Sequence, residues 1–295
     1  MVLSIKPIDP SRPAFGGEVG GLHIARGVSV EEAAQIEAGM DRYAVLVIPD
    51  QIIDDTQQFA FSRHFGPMEI ATGDAARAGE RRLSIDINDI SNLDQQGEVM
   101  ARDDRRRLFG LGNMLWHSDS SFKPTPAKFS LLSARIVPDA GGNTEFADMR
   151  AAWDALDAAT QAKCMDLVCE HSQLYSRALL GFTDWNAAER EQNAPVPHRL
   201  VRRHPNTGRL SLFLSSHAGE IRGWPTPEAR MFLRDLTEHA TQPAFVFAHR
   251  WRQWDLVIWD NRVVMHRARA YERTEVRDLH RTTVADRAPT LEQPR

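Results

Sequence analysis

The stretch that decides the fold reads Leu256-Val257-Ile258-Trp259-Asp260-Asn261-Arg262-Val263-Val264-Met265-His266. Its apolar residues form two short runs on either side of Asp260-Asn261-Arg262, which is typical of two strands joined by a turn. Because the second run stays apolar as far as the histidine, we expect His266 to lie deep inside a β-structure. A single buried histidine is more often structural than ligating, so this residue needs partners before it indicates a function.

Strand signals recur on both sides of this stretch, with helical segments inserted between them. Besides the strand over 255–259 in that stretch, strands are predicted over 43–49, 128–137, 245–251 and 277–285, with a hairpin joining 199–203 to 209–214. Helices are predicted over 30–42, 54–65 and 160–170, after Asp148 and from Thr226. Strands with inserted helices, rather than alternating strand–helix units, favour an antiparallel sandwich or barrel. The polar, basic segment Gly73 to Arg82 is predicted to be a mobile loop.

Composition and charge exclude several classes of function. The 295 residues are 42% hydrophobic and 26% charged, which is typical of a soluble globular protein. Thirty-six Lys+Arg against forty Asp+Glu give a net charge of −4, so nothing attracts nucleic acid or an anionic membrane overall. The longest apolar runs, such as Tyr43 to Ile48, are far shorter than a membrane span, and the start of the chain lacks a secretory signal. We expect a cytoplasmic protein with a small-molecule partner. The sequence does not decide the oligomeric state, and a homo-oligomer is one option.

The two cysteines, Cys164 and Cys169, fall within the predicted helix over 160–170. Five positions apart on a helix, they would point to different faces and could not easily form a disulfide. We therefore expect two buried free thiols without a redox or metal role.

The stretch Gly112 to Phe122 carries two ligand-type side chains, His117 and Asp119, two positions apart. If the segment is extended, both project to one face and can reach a single cation. A His-x-Asp pair also arises often by chance in a solvated turn. A second histidine is required to complete a metal site. The chain has eleven histidines, and their chemistry alone does not show which one would bind the cation. Two imidazoles and one carboxylate with open positions are the arrangement that non-haem ferrous oxygenases use.

Several motifs in order resemble the taurine/2,4-dichlorophenoxyacetate family of ferrous, 2-oxoglutarate-dependent dioxygenases. They are His117-Ser118-Asp119, Gly141 to Ala152, Trp259 to Arg267, and Arg277, eleven residues after His266. The resemblance covers most of the chain. Within the family it favours the 2,4-dichlorophenoxyacetate branch, because of Leu115 to Phe122 and Ser176 to Asp184.

The resemblance implies a double-stranded β-helix, a mainly β jelly roll of the cupin type decorated by helices, and it implies the cofactors. His117, Asp119 and His266 would hold Fe(II). Thr144 would bond a 2-oxoglutarate carboxylate, Arg277 would pair with the distal carboxylate of 2-oxoglutarate, and Trp259 would be an aromatic on the cosubstrate side. The second cosubstrate would be O2. We expect one domain over 1–295, because a boundary between 119 and 266 would split the site.

The substrate side rests on Asn113, His217 and Arg281. Positions 277, 279 and 281 face one side of a strand, which would place Arg277 and Arg281 ~13 Å apart on one surface. Two anion sites around one cavity would follow, with Arg281 taking the acid group of the substrate; the alternative is a strand edge blunted by charge. By resemblance, Asn113 lines the substrate cavity and His217 contacts the substrate, with a surface role as the alternative for His217.

The expected reaction is hydroxylation, since Asp119 occupies the position that related halogenases leave open for chloride. The implied substrate is an aryloxyalkanoate such as 2,4-dichlorophenoxyacetate, hydroxylated at the carbon next to the ether oxygen to give a phenol and glyoxylate, with succinate and CO2 from 2-oxoglutarate. One alternative is the same chemistry on an alkylsulfonate or another natural carboxylate. A remote alternative is a non-catalytic jelly-roll protein whose histidines hold zinc.

Overall fold

The computed structural model describes residues 2–71 and 81–294. The strands are β1 (Ser4–Pro7), β2 (Gly17–Gly20), β3 (Val45–Ile48), β4 (Asn88–Ser91), β5 (Ala127–Ile136), β6 (Thr144–Asp148), β7 (Val168–His171), β8 (Val196–Arg199), β9 (Val201–Arg203), β10 (Leu210–Leu212), β11 (Ala218–Ile221), β12 (Val246–His249), β13 (Leu256–Asp260), β14 (Val264–Ala268) and β15 (Asp278–Ala285). The helices are α1 (Val30–Tyr43), α2 (Asp55–Ser62), α3 (Arg105–Gly110), α4 (Met149–Asp154), α5 (Ala158–Cys164), α6 (Gln173–Ala178), α7 (Ala187–Gln192) and α8 (Thr226–Ala240). Short 3₁₀ helices lie at Ile24–Arg26, Arg63–Phe65, Leu111–Met114, Pro243–Phe245 and Thr290–Glu292.

The largest sheet has seven strands in the order β1-β2-β3-β13-β5-β15-β4. Its neighbours are antiparallel except for β2 and β3, which run parallel. Strand β13 is buried on both faces, and its side chains alternate between two hydrophobic clusters: Leu256 and Ile258 face one, Val257 and Trp259 the other. The continuous apolar run of β13 follows from this double burial.

A three-stranded antiparallel sheet in the order β12-β6-β14 packs against one face of the large sheet. Phe146, Phe247 and Val264 from the small sheet share a buried cluster with Val257 and Trp259 from the large one. Strand β14 follows β13 after a short turn, so the chain passes directly from one sheet to the other. His266 therefore lies on the small sheet beside the aromatic layer between the sheets.

Helices cover the outer faces of both sheets. Helix α1, whose N-terminus is fixed by a Ser29–Glu32 capping box, packs with α2 on the large sheet. Helices α4, α5 and α8 pack with Met265 on the outside of the small sheet. Most of the predicted elements are confirmed, including α1, α8, the five strands and the antiparallel hairpin of β9 and β10. The order of strands and helices also confirms the predicted architecture, which is mainly β with inserted helices.

The predicted helix over 160–170 is wrong in its second half. Helix α5 ends at Cys164, and Cys169 lies on β7, between β8 and β11 in a second three-stranded sheet. Alternating burial along β7 and pairing on both sides outweigh the weak helical preference. The prediction of buried free thiols is confirmed, and burial raises the pKa of Cys164 to about 11 and of Cys169 to about 12.

The predicted loop over Gly73 to Arg82 falls mostly on residues 72–80, which lie outside the described residues. Within the described part of the chain, no helix combines the length and apolar character needed to cross a bilayer.

One ionic contact makes the stability of the fold depend on pH. The imidazole of His280 on β15 lies 2.5 Å from Asp55 at the start of α2 and 3.2 Å from Asp278. Burial opposes the imidazolium, but hydrogen bonds to Asp278 and Asp55 outweigh burial and raise the pKa of His280. The contribution to stability is then complete below the unfolded pKa, roughly 6.5, and is lost as pH rises through the folded value.

We therefore predict that the difference in unfolding free energy between the wild type and His280→Gln, measured by urea titration, decreases as pH rises from about 6 to 9. The exposed His23 serves as a matched control, because His23→Gln should leave the pH profile unchanged. A difference that grows with pH would show that His280 is neutral in the folded protein.

Candidate active site and metal centre

Three buried side chains meet beside the layer between the sheets. One ligand atom each of His117, Asp119 and His266 lies within 4.8 Å of the other two. The Nε2 atom of His117 is 3.8 Å from Asp119 Oδ1, and Nε2 of His266 is 3.6 Å from Asp119 Oδ2. These distances are too long for hydrogen bonds and leave space for a shared cation. The structure thus brings together the three residues predicted as metal ligands.

Backbone pairing places the two histidines side by side. His117 and His266 form an isolated antiparallel bridge, in which His117 N–H donates to His266 O at 3.0 Å and His266 N–H donates to His117 O at 2.8 Å. The imidazole centroids are 4.2 Å apart. His117 Nδ1 donates to Leu115 O at 2.8 Å, which leaves the Nε2 lone pair facing Asp119.

The protonation states suit a divalent metal. Burial lowers the pKa of His117, and burial lowers that of His266 further, so both imidazoles are neutral. Burial alone would raise the pKa of Asp119, but the charge of Arg281, with a smaller contribution from the hydrogen bond of Ser130, lowers it to about 2. Two neutral imidazoles and one ionised carboxylate are the donor set of a non-haem Fe(II) site with open positions. The residues present therefore fit Fe(II).

A hydrogen-bond network fixes the Asp119 carboxylate. Ser130 on β5 donates to Asp119 Oδ2 at 2.7 Å, and Asn261 Nδ2 donates to Ser130 Oγ at 2.9 Å. The Oδ1 atom of Asn261 accepts from the backbone N–H of Asp119 at 3.0 Å and from Trp259 Nε1 at 3.1 Å. The turn between β13 and β14 thus orients the ligand as well as connecting the sheets.

Two cavities lead away from the triad. A small cavity of about 40 Å³ is bordered by His117 and Asp119. It shares four lining residues with a larger cavity of about 310 Å³, namely Asn88, Asn113, Arg177 and Arg281. Among the described residues, the larger cavity is lined by nine arginines and one acidic residue, Asp89. A cavity of this charge is suited to small anions.

Arg277 and Arg281 border the same larger cavity, although they differ in their partners. Arg277 is buried, and among the described residues no carboxylate pairs with it. Its guanidinium makes long hydrogen bonds, of 3.4 and 3.5 Å, to Ile90 O and Gly142 O and lies 5.8 Å from the ring centroid of Tyr271. Arg281 Nη1 donates to Asp119 Oδ1 at 2.5 Å, while its buried Nε has no partner among the residues that the structure describes. The prediction that Arg277 and Arg281 lie on one face of a regular strand holds only in part, because the pairing register of β15 with β5 shifts between Asp278 and Leu279. Both arginines nonetheless face one cavity.

Trp259 lies close to the triad, and Thr144 pairs with Ala268 on β14, but neither residue borders either cavity. Thr144 is buried at the start of β6 and accepts a hydrogen bond from Trp251 Nε1 at 3.0 Å. The ring of Trp259 lies 4.6 Å from that of His266 and supports it from the core. Their contacts with 2-oxoglutarate stay predictions.

The two remaining predicted substrate residues border the small cavity. Asn113 lines both cavities, and His217 lines the small one, with its ring 6.0 Å from that of His117. His217 is 2% exposed, so the alternative of a surface role is wrong. Its Nδ1 lies 2.9 Å from Ser176 Oγ, and burial lowers its pKa well below the ordinary value.

Sequence reasoning did not identify several residues of this site. Ser130 and Asn261 orient Asp119, and Arg177 borders both cavities. Asn261 lies in the turn between the two apolar runs quoted at the start. An amide side chain at that position could have identified it as a residue of the site. Ser130 and Arg177 had none, because only the folded chain brings them near Asp119 and His117. Arg106 and Arg107 on α3 also line the larger cavity.

Comparison with curated proteins gives close relatives along almost the full chain. The chain is 44% identical over 280 residues to the alpha-ketoglutarate-dependent 2,4-dichlorophenoxyacetate dioxygenase of Cupriavidus pinatubonensis, covering 95% of this chain and 98% of that one. It is 36% identical over 292 residues to the (S)-phenoxypropionate/alpha-ketoglutarate-dioxygenase of Sphingobium herbicidovorans, covering 95% and 94%.

A solved structure and a family profile agree with these relatives. The fold superposes on the crystal structure of AAD-2 in complex with Mn(II) and N-oxalylglycine with a TM-score of 0.95 and 53% identity, covering 98% of this chain and 100% of that one. The profile described as "Taurine catabolism dioxygenase TauD, TfdA family" matches residues 4–283. The chain therefore belongs to the TauD/TfdA family of dioxygenases and is an enzyme.

Proposed function

We propose that this dioxygenase hydroxylates the carbon next to the ether oxygen of an aryloxyalkanoate such as 2,4-dichlorophenoxyacetate. The hydroxylated product is a hemiacetal, which collapses to a phenol and glyoxylate. The observation that carries this proposal is the buried His117–Asp119–His266 triad, which opens toward an arginine-lined cavity. The names of two relatives, one acting on 2,4-dichlorophenoxyacetate and one on (S)-phenoxypropionate, support the substrate class.

The cofactor is Fe(II), and the cosubstrates are 2-oxoglutarate and O2. His117, Asp119 and His266 hold the iron, which when bound couples oxidative decarboxylation of 2-oxoglutarate to hydroxylation of the substrate. Three protein donors leave coordination positions open, unlike a structural zinc site, which is closed by a fourth ligand. This donor set disfavours the alternative of a non-catalytic zinc protein.

The residues around the metal bind and orient the two organic acids. Arg277 is buried without a carboxylate partner among the described residues, and it pairs with the distal carboxylate of 2-oxoglutarate. Thr144 and Trp259 complete the cosubstrate side. Asn113, His217 and Arg281 face the primary substrate, and Arg281 can offer its free Nε–H while Nη1 holds Asp119. The apolar layer between the sheets shields the core side of the triad from bulk water.

The proposal also includes the organisation of the chain. The two packed sheets are the halves of a double-stranded β-helix, and residues 1–295 form one domain, since residues 117 and 266 pair through their backbones. Two free, buried thiols agree with a reducing cytoplasm.

The first test is turnover with the metal triad intact and broken. With Fe(II), the protein should consume 2-oxoglutarate and release a phenol from phenoxyacetates, and His117→Ala or removal of the metal by a chelator should reduce both to background. The exposed His64 gives a control, because His64→Ala should keep full activity. Failure of the iron-loaded wild type to consume the cosubstrate with any phenoxy acid or alkylsulfonate would disprove the proposal.

The second test concerns the orientation of Asp119. Ser130→Ala removes the hydrogen bond to Oδ2, so it should weaken Mn(II) binding about 10- to 100-fold in a calorimetric titration. Ser133, on the same strand, has a buried hydroxyl without a partner among the described residues, and Ser133→Ala should bind Mn(II) as the wild type does. Equal affinities of both variants would show that the network does not orient the ligand.

The third test separates the two acids. Arg277→Gln should raise the cosubstrate KM roughly 100-fold, because a charge-assisted bidentate pair with 2-oxoglutarate is lost, and should change the phenoxyacetate KM less than about threefold. Arg277→Lys should restore only part of the loss. The reverse pattern of KM changes would assign Arg277 to the primary substrate.

A further inference from the structure

The buried arginines of this protein fall into two groups. Six arginines are buried among the described residues, and four of them pair with an aspartate: Arg135 with Asp55, Arg150 with Asp148, Arg202 with Asp286, and Arg262 with Asp260. The two others, Arg177 and Arg277, have no carboxylate partner among the described residues. Both line the larger cavity. A buried cation without a counter-ion is costly unless a ligand supplies one.

Arg177 is held in place by contacts that do not neutralise its charge. Its guanidinium carbon lies 4.2 Å from the ring centroid of Phe109, and Nη1 donates to Ser176 Oγ at 3.1 Å. Its Nε is buried, with no partner in the described part of the chain. A methyl group built on Gly112 would overlap the guanidinium, so glycine leaves the space that Arg177 occupies. Burial lowers the pKa of Arg177 to about 10, at which the group is still charged at neutral pH.

The other polar side chains near the triad, Arg281, Ser176 and His217, are less suited to neutralise a bound anion. Arg281 shares its charge with Asp119, so it can add a contact to the substrate through Nε–H but does not supply the full counter-charge. The hydroxyl of Ser176 donates its only proton to Gln173 O at 3.0 Å, so it accepts from Arg177 and from Nδ1–H of His217. Neutral His217 then carries a lone pair on Nε2, which cannot donate to a carboxylate.

We propose that Arg177 binds the carboxylate of the primary substrate and supplies its counter-charge. This inference rests on the proposed function and adds a specificity residue to it. Two unpaired buried arginines match two acids, with Arg277 for 2-oxoglutarate and Arg177 for the substrate. Arg177 lies at the wall shared by the two cavities, beside Asn113 and within electrostatic reach of His117. In phenoxyacetate the carbon to be hydroxylated is bonded directly to the carboxylate carbon, so a carboxylate held by Arg177 in the small cavity also places that carbon near His117 and Asp119.

The test compares a charged substrate with an uncharged analogue. Arg177→Met should raise both the KM and the calorimetric Kd for phenoxyacetate about 10- to 100-fold, because one charge-assisted contact is lost. The cosubstrate KM should change less than about threefold. Phenoxyethanol, which lacks the carboxylate, should be oxidised by Arg177→Met at the same rate as by the wild type. Arg177→Lys should restore part of the affinity, and Arg190→Met, on the exposed side of α7, should match the wild type.

A second variant keeps the test decisive if Arg177→Met does not fold. Gly112→Ala keeps the charge but displaces the guanidinium, so it should also raise the Kd for phenoxyacetate. Wild-type Kd for phenoxyacetate in Arg177→Met, or in Gly112→Ala if the first variant does not fold, would overturn the assignment. If the wild type binds phenoxyacetate but does not oxidise it, the proposed function fails while the binding comparison still decides the role of Arg177. If the wild type does not bind phenoxyacetate, both are wrong.

Discussion

The backbone bridge between His117 and His266 is the interaction on which the site depends. Two reciprocal hydrogen bonds join segments that are far apart in the chain and bring the two imidazoles to 4.2 Å. The bridge forms because β13 lies in the large sheet and β14 in the small one, so the turn between them delivers His266 to the layer between the sheets. Asp119 follows two residues after His117 and completes the triad without any further chain crossing.

The electrostatics of the site follow from its burial. Burial keeps both imidazoles neutral, and Arg281 keeps the nearby carboxylate ionised, so the donor set is ready for a divalent ion at neutral pH. Elsewhere in the core the buried arginines pair with aspartates. At the cavity, Arg177 and Arg277 pair with no carboxylate in the described part of the chain, so their charge is available to two anionic ligands.

Sequence patterns predicted those features of the structure that depend on residues close together in the chain. The double burial of β13 appears as a continuous apolar run, and His117 and Asp119 lie only two positions apart in the chain, so these features were visible in the sequence. The family resemblance, rather than spacing, selected His266 among eleven histidines. The contacts of Ser130 with Asp119 and of Arg177 with Phe109 join distant segments, and no local pattern encodes them. The helix predicted to contain Cys169 was wrong because pairing with β8 and β11 decides that segment.

Isotope labelling tests most directly whether this triad supports a 2-oxoglutarate-dependent dioxygenase reaction. The iron-loaded protein would react with phenoxyacetate and 2-oxoglutarate under ¹⁸O₂, and mass spectrometry would measure the label in succinate. We expect one ¹⁸O atom in each succinate formed, with one phenol released for each succinate. Unlabelled succinate, or succinate formed without phenol, would contradict this mechanism.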